Sequence, residues 1–185
     1  GNLSKTKNFR LIHISTDCVF SGESGNYSED NIADAIDDYG KSKLAGEIIN
    51  LENVLTLRTS IVGHELNSCY SLIDWFLSQR NTVEGYTNAI FSGLTTIKFY
   101  EILFKYVIKN PDIYGLYHVG GFTIDKYSLL SIVSKTYKKS IKIIPSDKIK
   151  IDRSLNSTMF MKKTGYEKET WRKMIKNLYT FYQEI

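Results

Sequence analysis

The 185-residue sequence contains no Gly-x-x-Gly-x-x-Gly turn, and its one adjacent glycine pair, Gly120-Gly121, falls late. Such a turn lets the backbone approach a dinucleotide pyrophosphate at a helix N-terminus, so these residues hold no cradle of that kind. Cysteine is nearly absent. The two present, Cys18 and Cys69, exclude a disulfide framework and lack metal-ligand spacing, so they read as reduced thiols in a reducing, cytoplasmic compartment. No apolar run approaches the ~20 residues of a membrane-spanning helix. Residues 1–8 lack the apolar core of a signal peptide. Arginine is scarce, 5 against 19 lysines, which argues against a nucleic-acid partner because phosphate readers lean on guanidinium groups.

What is present describes a soluble protein with one sizeable core: 42% apolar residues, 24% charged and 13% aromatic. The net charge of +4 is unevenly spread. Residues 23–38 hold six acids and no base, whereas residues 135–176 hold thirteen Lys or Arg against four acids. The basic third reads first as solvated faces.

Leu11-Ile12-His13-Ile14 reads as a buried strand ending at Ser15-Thr16-Asp17. A polar loop over 21–38 precedes a helix from Tyr39 to about Asn50, with Asp37 or Asp38 as its cap. Val54 to Leu57 is a second strand leading into Arg58-Thr59-Ser60. Strand, helix, strand in that span implies a right-handed crossover and a parallel sheet. Helices follow over 71–79, 96–109 and 125–137, the last two stopped or started by Asn110-Pro111 and Asp125. Residues 82–93 are extended or turning, 116–119 form a strand, and 141–144 form a short strand before Pro145. Thr170 caps a final helix.

The chemistry gathers at two places. Tyr39 and Lys43 are four apart, so a helix sets them on one face. A nearby ammonium favours an ionised phenol, and a hydroxyl from Ser15 or Thr16 can bond the same substrate oxygen. Such a set can pass a proton to or from a carbonyl or alcohol while a cofactor moves a hydride. Tyr-x-x-x-Lys alone is a weak signal in a chain with 13 tyrosines; the Ser-Thr-Asp at a strand end raises it. His13 and His118 read as packed or surface histidines, His64 as a loop residue near the site, and Trp75 and Trp171 as core or interface.

Leu11 to Glu47, with Ser15-Thr16-Asp17, Val19-Phe20-Ser21-Gly22, Glu29-Asp30 and Tyr39-Gly40-Lys41-Ser42-Lys43-Leu44-Ala45-Gly46-Glu47, closely resembles the extended short-chain dehydrogenase/reductases, and best their dTDP-4-dehydrorhamnose reductase branch. Arg58-Thr59-Ser60, Phe91-Ser92-Gly93-Leu94-Thr95-Thr96, Gly115 to Gly121 and Asp152 to Ser157 fit as well, so the resemblance spans nearly the whole chain. Cys18 departs from the family's aromatic. The resemblance implies an α/β fold: the C-terminal part of a Rossmann-like parallel sheet with flanking helices, plus a small α/β substrate-binding lobe. It divides the chain into 1–67, the remaining half of an NAD(P)-binding domain, and 68–185, the substrate lobe with closing strands and helices.

The same resemblance implies an NADP- or NAD-dependent reduction of a keto group on a nucleotide-diphosphate sugar, for polysaccharide or deoxysugar synthesis. Thr16 would orient the carbonyl and Tyr39 would act as the acid. Lys43 would lower the phenol's pKa and contact the nicotinamide ribose. Ser15, Arg58, Thr59 and Ser60 would line the cofactor, and Asp17, Cys18, Val19, Thr95 and Arg153 the substrate, with no metal. Arg153 suits a diphosphate through two donors, against a plain ion pair; Thr95 reads equally as a helix cap. The chain is expected to begin partway through the nucleotide fold, completed by its own N-terminal half or another chain, or assembled as a homo-oligomer. Alone it is expected not to bind NAD(P)H tightly. Alternatives are a nucleotide-sugar epimerase or dehydratase, whose extra acid–base pair Cys18 and Val19 do not supply. A non-catalytic regulatory or scaffolding subunit is the other, since the branch also resembles the regulatory subunit of methionine adenosyltransferase.

Overall fold

The computed structural model describes residues 9–65 and 70–184, so Cys69 and the expected boundary at 67–68 lie outside the described residues. The architecture is mixed α/β, a parallel sheet with flanking helices. Strands β1 (Leu11–Thr16), β2 (Val54–Thr59) and β6 (Gly115–His118) pair in the order β1-β2-β6, all parallel. All six β2 residues are buried, Thr56, Arg58 and Thr59 among them, as the central strand of a covered parallel sheet requires. Thr16 lies opposite Thr59, and Arg58 opposite His118, so the three strands finish at one carboxyl edge.

Between β1 and β2 the chain makes a 3-10 turn over Asp17–Val19 and then helix α1 (Asp38–Ala45). Asp37 caps α1 by accepting the Gly40 N–H at 2.7 Å. The helix stops at Gly46, short of the expected Asn50, in keeping with the low helix propensity of glycine.

A second sheet, ordered β7-β4-β8, comprises β4 (Val83–Phe91), β7 (Ile124–Asp125) and β8 (Ile143–Asp152). The expected strand over 141–144 instead continues through Pro145 to Asp152. Its edge position tolerates the proline, whose absent N–H removes no bond from a central ladder. Short strands β3 (Ile61–Val62) and β5 (Leu94–Thr95) form a third pairing. The helices are α2 (Leu72–Ser78), α3 (Thr96–Ile102), α4 (Lys126–Thr136), α5 (Thr158–Thr164) and α6 (Trp171–Gln183). The helix expected over 96–109 changes to π geometry over Leu103–Ile108, and α5 is an element the apolar pattern did not announce. No helix among the described residues is long and apolar enough to cross a membrane.

One large core joins β2 (Leu55, Leu57) to α2 (Ile73, Phe76), α4 (Leu129, Val133) and α6 (Met174, Leu178). Trp171 belongs to it, whereas Trp75 is 39% exposed and lies outside the core. A smaller cluster of Val19, Phe20, Tyr27 and Leu155 lies under the long loop. Leu57→Ala should cost about 2–5 kcal/mol, because a cavity at the centre of a covered sheet cannot collapse; urea unfolding measures it.

Candidate active site

The sheet's carboxyl edge carries the candidate site. Thr16 is buried; its hydroxyl donates to Asp17 Oδ1 at 3.2 Å and accepts the Cys18 N–H at 3.2 Å. Helix α1 lies directly on this turn. A Cβ at position 40 would overlap the Cys18 carbonyl oxygen, so only glycine permits the approach. Next to that contact, Tyr39 is 59% exposed and its phenol has no hydrogen bond among the described residues. One turn on, the Lys43 ammonium donates to the Ile14 carbonyl at 2.6 Å and so is tied to β1. Helix α1 therefore meets the end of β1 at Gly40 and through the Lys43 ammonium, with the exposed Tyr39 next in sequence to the first of these contacts.

Two residues expected at the cofactor have other employment. The buried Ser15 hydroxyl donates to Glu47 Oε1 at 2.6 Å. The Arg58 guanidinium is held by Glu47, Nε to Oε1 at 2.8 Å and NH2 to Oε2 at 2.7 Å, with both side chains about 5% exposed or less. Both side chains are interior struts, and the Arg58 carbonyl accepts the Val119 N–H. Thr59 remains available: its Oγ1 is buried beside Thr16 without a partner. Ser60 is half-buried and its carbonyl accepts the Leu94 N–H.

Around Arg58 the network continues. NH1 lies 3.3 Å from His118 Nε2, and His118 Nδ1 lies 2.9 Å from the Tyr27 carbonyl. The carbonyl can only accept, so Nδ1 carries the proton and Nε2 accepts from the arginine. Burial, followed by the Arg58 charge, lowers the His118 pKa to about 4. The guanidinium also sits 5.1 Å from the centroid of Phe20, which stacks on Tyr27 at 4.1 Å. Glu29 accepts the His118 N–H at 2.8 Å, and burial raises its pKa. His118 is thus a packed histidine. His64, bonded to Asp74 at 2.5 Å and Tyr137 at 2.8 Å, is likewise a strut between α2 and α4.

On the substrate side, Val19 is fully buried in the smaller core and cannot touch a ligand in this arrangement. Thr95 is also fully buried, and its hydroxyl accepts the Lys98 N–H at 3.3 Å, so it serves as the cap of α3. Asp17 is buried, which pushes its pKa up. Burial likewise raises the Cys18 thiol. Arg153 donates to Cys18 Sγ at 3.1 Å and to Asp37 at 3.2 Å, so the ion-pair alternative holds; its Nε is buried and unpartnered. Sequence reasoning passed over Glu47 as a structural acid, although it lies one helical turn after Lys43. It also passed over Lys126, whose ammonium sits 3.8 Å from the Phe91 ring centroid and whose pKa burial lowers.

Residues 2–184 match the family model described as the RmlD substrate binding domain. The chain belongs to that family. Among curated proteins, this RmlD-type chain is 30% identical over 123 residues to a dTDP-4-dehydrorhamnose reductase of Aggregatibacter actinomycetemcomitans, which covers 62% of this chain and 42% of that protein. The chain therefore spans less than half the length of that relative. The fold matches a dTDP-4-dehydrorhamnose reductase from Clostridium acetobutylicum with a TM-score of 0.84 at 19% identity, over 97% of this chain and 68% of that one. It also matches the Bacillus anthracis enzyme in complex with NADP, with a TM-score of 0.81 at 20% identity, over 96% and 68%.

Glu47→Ala should destabilise the RmlD-type fold by about 3–5 kcal/mol by stranding a buried guanidinium, and the added change Arg58→Met should recover part of it in urea unfolding. Stability should also fall as pH drops from 6.5 to about 4, where the unfolded chain protonates His118 and the folded chain does not. That contribution, up to about 3 kcal/mol, is fully present above the unfolded value. His118→Gln should remove that part of the pH dependence in urea titrations at pH 7 and pH 4.5.

Proposed function

We propose that this chain is the catalytic and substrate-binding portion of an NAD(P)H-dependent reductase acting on the keto group of a nucleotide-diphosphate sugar. The observation that supports the reading is the seating of α1, which carries Tyr39 and Lys43, on the end of β1 that carries Thr16, through the Gly40–Cys18 contact and the Lys43–Ile14 bond. The NADP named with the Bacillus anthracis enzyme makes a nicotinamide cofactor the natural partner.

The residues present fit the nicotinamide end of such a cofactor. Tyr39 is open, Lys43 lies within reach of a ribose beside β1, and the Thr59 hydroxyl is buried without a partner at the same edge. They do not supply a pyrophosphate cradle, for want of a glycine-rich turn. The cofactor, when bound, supplies the hydride for the carbonyl carbon. Thr16 then orients the carbonyl oxygen, and Tyr39 hands that oxygen its proton as negative charge develops there. Lys43 stabilises the phenolate left behind. Arg153 would meet the substrate's diphosphate by exchanging its Asp37 partner for phosphate oxygens.

With a dinucleotide-binding half joined to this chain, Tyr39→Phe should lower turnover about 10²–10⁴-fold, the usual share of a positioned general acid. Normal turnover in that variant would end the assignment. The 185-residue chain alone should leave the nicotinamide emission of NADPH unchanged, because nothing then seats the nicotinamide end.

A further inference from the structure

Helices α4 and α6 enclose a groove of about 670 Å³ that the candidate active site does not use. Its lining includes Lys135, Arg172 and Lys176 and not one carboxylate. Ion pairs among the described residues engage Arg58, His64, Lys98, Lys148, Arg153 and Lys173, and none of these three. Arg172 and Lys176 are four apart on α6, where like charges repel. Lys135 joins them from the last turn of α4. Three uncompensated cations directed at one concavity raise the local concentration of anions.

The bed of the groove is apolar and held in place. Tyr127, Ile132 and Tyr179 line it. The Tyr179 ring packs edge-on against Tyr137, with centroids 4.9 Å apart. Tyr137 is in turn fixed through His64 to Asp74. A flat group can lie on such a surface without ordering it first, which spares part of the entropy of binding. The volume falls in the range of small-molecule sites, about 300–1,000 Å³.

We propose that this groove binds a phosphorylated small molecule with a flat aromatic body, of the nucleotide class, apart from the candidate active site. The cations hold the phosphates and the tyrosine bed holds the ring.

Titration calorimetry of the chain with ADP and with inorganic pyrophosphate tests this. Both should bind, ADP several-fold more tightly, and both more weakly as salt is raised. The double variant Arg172→Ala/Lys176→Ala, altered only at exposed positions, should weaken ADP by about tenfold or more with an unchanged melting curve. Arg153→Ala should leave ADP binding as it was, which separates this groove from the proposed substrate site. Absence of saturable binding, equal affinity for pyrophosphate and ADP, full binding by the double variant, or loss in Arg153→Ala would each overturn the proposal.

Discussion

The buried bidentate pair between Arg58 and Glu47 organises this molecule. Arg58 sits on the central strand β2, opposite Ser15 on β1 and His118 on β6. Glu47 follows the end of α1 and takes three hydrogen bonds, one from Ser15 and two from Arg58. The pair therefore clamps the helix carrying Tyr39 and Lys43 onto the sheet that carries Thr16. In a low-dielectric interior neither charge is tolerable without the other, so the pair specifies geometry more than it adds stability. His118, Tyr27 and Phe20 close the network and connect it to the long loop.

Above that clamp, the site is built from close backbone approach. Gly40 lets α1 rest on the Cys18 carbonyl, and the Lys43 ammonium reaches β1 rather than solvent. The outcome is an exposed Tyr39 on a helix seated against the turn after the buried Thr16, with Ser15 and Arg58 committed to Glu47.

Much of this was legible in the chain. The strand–helix–strand order and the Tyr–Lys spacing indicated a parallel sheet with a candidate site at its edge, because strand burial and helical periodicity leave direct traces in residue order. Asp37 and Thr170 were readable as caps because capping is a local interaction. The roles of Ser15, Arg58 and Val19 were not. Each stands in a motif that suits ligand contact, and whether its side chain faces a ligand or the interior depends on partners such as Glu47 that lie far along the chain. β8 ran through Pro145 because an edge position, invisible locally, removes the penalty.

Residue order alone settled the fold class, the placement of a phenol and an amine one helical turn apart, and the want of a pyrophosphate cradle, since each depends only on neighbours in sequence. Tertiary packing alone decided which polar groups serve the site and which brace it. It also gathered Lys135, Arg172 and Lys176 around one groove. Those outcomes rest on contacts between residues tens of positions apart, where burial turns the same side chain from a ligand contact into a strut.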